Sequence, residues 1–183
     1  ARCQATAGGH MLVGRTPVRS RVLAVEPGRF YRLDLAVTAE APGYWAMHFF
    51  DAAGRPLPDV YGNVEPTGQP QHITTCVRAH ALAATAELRL MTAAEGVMAA
   101  DAVPPRPASH GTARRWADQL YATLPAVRSD PPDDRWRHIP RAMATLRDGG
   151  RLKVVIAGDS TADDIANSAF DLLIERHYPG ARI

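Results

Sequence analysis

The chain has 183 residues, 46% of them apolar and 22% charged, and carries a net charge of +2. Such a length fits one domain, or one domain with part of another, and the composition is that of an ordinary globular protein. Scattered arginines give no basic block, so nucleic-acid binding is not indicated, and the absence of a long apolar run argues against a transmembrane helix and a membrane partner. The chain opens on Ala1 without Met, which fits a signal peptide either removed or never included in the sequence. Its two cysteines, Cys3 and Cys76, make no CxxC and no zinc-spaced Cys/His cluster, and read either as buried thiols or as one disulfide.

Residues 1 to 104 read as an all-β sandwich of jelly-roll type. "EPGR" is a turn, and "FYRLDLAV" after it alternates, with Tyr31, Leu33, Leu35 and Val37 on one face and Arg32 and Asp34 on the other. "YWAMHFFD" is the next strand, closed by "AAGRPLP", which reads as a loop. "ITTCVRA", "AELRLMT" and "GVMAADAV" follow as strands, and the Ala-rich run between the first two stays loop and strand because its flanks keep a period of two. Regular strands between Gly/Pro turns suggest a sandwich.

"VPPRPASHG" is Pro-rich and reads as a boundary, with residues 105 to 150 as linker and short helices. "TARRWADQLYATL" places Trp116, Leu120 and Leu124 on one helical side. "RSDPPDDRWRH" is linker, and "HIPRAMATLRDGG" is a short helix with Ile139, Met143 and Leu146 inward, stopped by Gly149 and Gly150. In residues 151 to 183, "LKVVIAG" has the pattern of a strand buried on both faces. "ADDIANSAFDLLIERHY" reads as one helix with Ile165, Ala169, Leu172 and Leu173 inward, and "ARI" as the start of a second strand. One strand and one helix cannot cover such a strand, so the reading expects the α/β unit to continue past Ile183 or to complete a sheet made elsewhere.

Between strand and helix stands Gly158-Asp159-Ser160-Thr161. A serine there projects at the carboxyl end of a sheet, and the N–H groups of the following helix favour an oxyanion. Gly158 permits the tight turn and Asp159 suits the helix cap; a plain turn and cap would use the same residues. "VVIAGDST" with its helix resembles the first block of the SGNH (GDSL-type) serine hydrolases, in the GDST form of acetylesterase-like members, and the resemblance extends over residues 136 to 183. It implies an α/β/α hydrolase fold, Ser160 as nucleophile and oxyanion donor, Gly158, Asp159 and Thr161 as support, and no cofactor. It further implies an ester, and most simply an acetylated carbohydrate, as substrate, with a secreted or periplasmic location. The family's Gly-x-Asn and late Asp-x-x-His are missing here: no histidine follows an aspartate by three residues, and His177, at the far end of the expected helix, is too distant to act as base. The remainder of the hydrolase domain is therefore expected beyond Ile183, and the chain as it stands is expected to be inactive.

The sandwich invites a different reading. "VEPGRFYRLDLAV" resembles a strand region of carbohydrate-binding jelly-roll modules, which implies a non-catalytic sugar-binding role as the alternative. Tyr44, Trp45 and Tyr61 are then the candidate sugar platform, set against the plainer reading of Trp45 as core and of the tyrosines as cover for sheet edges. Asp51 and Asp101 lack further ligands, and no metal site is assigned.

Overall fold

The computed structural model describes residues 11–13, 18–93, 96–126 and 134–183. It separates into two compact units, Ala1–His110 and Gly111–Ile183.

The first unit contains β1 (Met11–Val13), β2 (Val18–Arg19), β3 (Leu23–Ala24), β4 (Phe30–Ala39), β5 (Gly43–Phe50), β6 (Pro56–Val64), β7 (Gln71–Arg78), β8 (Thr85–Thr92) and β9 (Met98–Ala108). They make two antiparallel sheets, ordered β1-β9-β4-β7 and β2-β8-β5-β6, with β3 also on β8. Consecutive strands cross from sheet to sheet, except at β2–β3, which both lie on β8, and at the β5–β6 hairpin. This is jelly-roll wiring, as the sequence suggests. Alternation fixes which face is buried: Tyr31, Leu33, Leu35 and Val37 of β4 meet Trp45, Met47 and Phe49 of β5 and Leu88 and Leu90 of β8 in one apolar core. The Pro27-Gly28 turn into β4 holds Gly28 at φ 71°, a left-handed conformation that glycine adopts without strain.

Two Pro-rich stretches prove to be strand. β6 begins at Pro56, in the segment expected to be loop. β9 carries the sandwich past the expected boundary at residue 104, as far as Ala108. Both exceptions have one cause. β6 is the outermost strand of its sheet, and among the described residues β1 covers β9 only at Met98–Ala100, so the prolines of both strands sit where one side of the ladder shows no partner that needs an N–H donor. A register shift between Arg32 and Asp34 accommodates Pro104 and Pro105. Cys76 is a buried free thiol on β7, raised in pKa by burial. Cys3 lies outside the described residues, as does most of the "RSDPPDDRWRH" linker.

The second unit holds α1 (His110–Ala122, whose first residue closes the first unit), a single 3-10 turn at Arg135–His138, α2 (Pro140–Arg147), α3 (Ser160–Asn167) and α4 (Phe170–His177). On α1 the buried positions are Ala113 and Ala117, while Leu120 and Leu124 are exposed, so the expected apolar side is not the buried one. α2 buries Met143 and Leu146 as expected, against Ala181 with Leu152, Ile174, Tyr178 and Ile183 around them. Its stop is Gly149, at φ 72°.

Two expectations in this unit are corrected. "LKVVIAG" forms no strand: only Arg151 bridges, in parallel, to Arg182, and Val155 is 79% exposed. A β-branched run of this kind needs neighbours on both edges and both faces, and here it has one isolated bridge. The expected single helix is two. Ala169 takes φ 55° between α3 and α4, Ser168 Oγ donates to the Ile165 carbonyl, and the Tyr121 hydroxyl donates to the Ser168 carbonyl. Those bonds satisfy local groups at the break, against the left-handed penalty of a non-glycine residue. Leu172 faces inward as expected, whereas Ile165 is exposed.

Candidate functional site

The solvent face of the β2-β8-β5-β6 sheet is set by strand parity. On β5 the residues pointing out are Tyr44, Ala46 and His48; between them Trp45 and Met47 enter the core. Register then builds three rows. Tyr44 stands between Met91 of β8 and Asn63 of β6. Ala46 stands between Arg89 and Tyr61, and His48 lies opposite Glu87. A register shift between Met47 and Phe49 bends β6 at that end and leaves Asp59 beside His48, with Nδ1 to Oδ2 at 3.3 Å.

Tyr44 and Tyr61 are therefore diagonal neighbours on adjacent strands, a spacing at which two aromatic side chains serve one ligand. The Tyr44 hydroxyl lies 3.5 Å from Met91 Sδ, and Tyr61 is 36% exposed. Arg89 donates to Glu87, whose side chain is otherwise buried. Burial, with Arg89 adding to it, holds the His48 imidazole below its usual pKa, and Asp59 opposes that shift. His48 is thus neutral at pH 7, and Asp59 keeps an acceptor facing it. Rings with an apolar face, fixed planar hydrogen-bonding groups and few free charges suit a polyhydroxylated ligand.

Trp45 departs from the expected platform. It lies opposite Leu90 and Gly62 on the inner face and is 5% exposed, so it is a core residue. Tyr44 and Tyr61 stand in diagonal register on one face. Asn63, Arg89, Glu87, His48 and Asp59 were not singled out from sequence, although the period of two in "YWAMHFF" and "AELRLMT" carries the signal for most of them.

On the other sheet the outward face holds an open depression of about 200 Å³ lined by Asp34, Ala36, His72, Thr74 and Asp101. Asp34 there accepts from Arg32, Arg106 and Thr74, and these bonds, Arg32 foremost, hold its carboxyl below the usual range. Asp34 is thereby committed to the sheet, and no phenylalanine, tyrosine or tryptophan ring among the described residues of that face is exposed. Asp101 lies here, while Asp51 accepts from the backbone N–H groups of Ala53 and Arg55 in the β5–β6 turn, so the two carboxylates are not brought together. No group of three metal-ligating side chains exists among the described residues.

The Gly158–Thr161 block lies in the second unit. Ser160 is the first residue of α3, and the Asp159 carboxylate accepts from Thr161 N at 3.1 Å, which makes Asp159 the helix cap. A side chain on Gly158 would meet Ala162 at 3.1 Å. His177 closes α4, beyond the break at Ala169.

No family model and no curated protein matches this chain. Several solved structures resemble part of it, among them the following three. The enzymatically active domain of tailspike protein 4 of bacteriophage CBA120 is 14% identical, at a TM-score of 0.43 over 57% of this chain, and only 20% of that longer chain is spanned. A CBM4 structure is 11% identical, at a TM-score of 0.45 over 58% of this chain and 77% of its own. The C-terminal CBM6 of LamC, a laminarinase of Zobellia galactanivorans, is 11% identical, at a TM-score of 0.34 over 55% of this chain and 86% of its own. At these identities and scores no residue's role transfers to this chain.

Proposed function

We propose that the first unit is a non-catalytic glycan-binding module and that the outer face of the β2-β8-β5-β6 sheet is its binding surface. The observation that carries this is the placement of Tyr44 and Tyr61 on one open face, bordered by Asn63, by the Arg89–Glu87 pair and by the His48–Asp59 pair. A pyranose ring lying on Tyr61 buries its apolar C–H face, while its hydroxyl groups reach the amide, imidazole and guanidinium at the border. The surface needs no cofactor. Isothermal titration against a panel of soluble polysaccharides is expected to find one that binds, and Tyr61→Ala is expected to weaken it by about 10- to 100-fold through loss of stacking and buried area. Unaltered affinity in both Tyr61→Ala and Tyr44→Ala sinks this assignment of the surface.

A second reading concerns the second unit: a GDSL-type serine esterase acting on a carbohydrate ester, with Ser160 as nucleophile. What supports it is the position of Ser160 at the N-terminus of α3, where helical N–H groups favour an oxyanion. In that mechanism Ser160 attacks the ester carbonyl, an acyl-enzyme forms, and water releases the acid. No histidine of this chain matches the family's base, so the reading requires one from elsewhere. Stoichiometric labelling by a fluorophosphonate that disappears in Ser160→Ala supports it; labelling that survives the substitution places the reactivity at another residue.

A further inference from the structure

Arg19 of β2 and Arg89 of β8 stand directly opposite each other in the antiparallel register. Their neighbours in sequence, Val18 and Leu90, are buried, so both guanidinium groups belong to the outer face. Like charges directly opposite on adjacent strands destabilise a sheet. Only one of the two is neutralised within the face: Arg89 donates to Glu87, while among the described residues no carboxylate pairs with Arg19, which is exposed. The row continues through Ala46 to Tyr61. Three strand intervals at about 4.8 Å put Arg19 roughly 14 Å from Tyr61, the reach of two or three pyranose units. The carboxylates nearby are already engaged, Glu87 with Arg89 and Asp59 with His48. The positive field of this edge is felt as far as His48, whose protonation both arginines oppose.

A paired guanidinium edge, one member of which no carboxylate among the described residues pairs, suits an anion. We propose that the face takes an acidic glycan, one whose uronate carboxylate is held between Arg19 and Arg89 while a ring two or three units along the same chain lies on Tyr61. Guanidinium groups suit this partner because their planar fork matches both carboxylate oxygens. The inference rests on the glycan reading of this face and adds to it the charge of the ligand.

The test compares polygalacturonate with its fully methyl-esterified form, which keeps the sugar and removes the charge. Titration of the wild-type protein is expected to give affinity for the acid form at least tenfold above that for the ester. Arg19→Gln is expected to erase most of that difference and to leave binding of the ester unchanged. Arg19 is exposed and its removal relieves a like-charge contact, so the thermal midpoint of this variant is expected to match or exceed that of the wild type. Arg19→Glu is expected to lower affinity for the acid form further. Equal binding of both forms, lost in Tyr61→Ala, overturns the acidic assignment and leaves the glycan reading standing. Failure of both forms and of every neutral polysaccharide overturns the two together. Polyglutamate that displaces polygalacturonate completely, with Tyr61→Ala without effect, shows recognition of charge alone and also overturns the proposal.

Discussion

Phe49→Ala is expected to remove about 3–5 kcal/mol from the stability of the sandwich, a large share of the roughly 5–15 kcal/mol that domains commonly have. Phe49 is 1% exposed and is the largest fully buried side chain of the core. It enters from β5 into a layer shared by both sheets, whose other members include Leu33, Met47, Leu88 and Val77. Truncation loses the transfer free energy of the ring and opens a cavity in the layer, and ladders on both sides of β5 limit how far that strand can move inward to fill it. Guanidinium unfolding followed by tryptophan fluorescence in a Trp116→Phe/Trp136→Phe background, which leaves Trp45 of the first unit as the sole tryptophan, measures the loss. A change below 1 kcal/mol contradicts the placement of Phe49 at the centre of the core. The alanine substitution leaves the outer face intact, so glycan affinity of the folded fraction is expected to be unchanged.

The strands that are legible in the sequence are the proline-free ones: β7 at a sheet edge, and three central strands. β4, β5 and β8 each run between two partners, their apolar residues recur at every second position, and periodicity alone finds them. β6 and the end of β9 escape that reading because one edge is open, and an open edge tolerates the prolines that otherwise signal a loop. The Val154–Gly158 stretch fails in the opposite direction: the composition of a buried parallel strand is present, but the pairing that would make it one is reduced to Arg151 and Arg182. The break at Ala169 gave no signal, because alanine is the best helix former and takes its left-handed conformation here only where surrounding bonds hold it. For the binding face, the residue types are legible in the sequence and strand parity sorts them. A period of two puts Tyr44 and Trp45 on opposite sides of the sheet, so they could not share a platform. The same rule brings Arg19 and Arg89 outward, but their juxtaposition depends on β2, a two-residue strand that no periodicity can reveal.

Gly62→Ala is expected to damage both the core and the binding face, which separates it from Phe49→Ala. Gly62 lies opposite Trp45 in the β5–β6 hairpin, and a Cβ there would sit 2.7 Å from the indole Nε1 and 2.8 Å from Cε2 and Cζ2. These atoms belong to a buried bicyclic ring that cannot yield as a flexible chain end does. Either the indole turns against the core or β6 lifts from β5. Overpacking of this kind costs about 1–3 kcal/mol, measurable by the same unfolding experiment. β6 also carries Tyr61 and Asn63, one residue to either side, and a lift of that edge strand moves both away from Tyr44 and Arg89. Affinity for the bound glycan is therefore expected to fall by about tenfold even in the fully folded protein, since stacking and bidentate contacts tolerate little displacement. Destabilisation with unchanged affinity would mean that the indole yields and β6 stays in place. Loss of both would identify the Trp45–Gly62 contact as the link through which the core fixes the spacing of the two tyrosines.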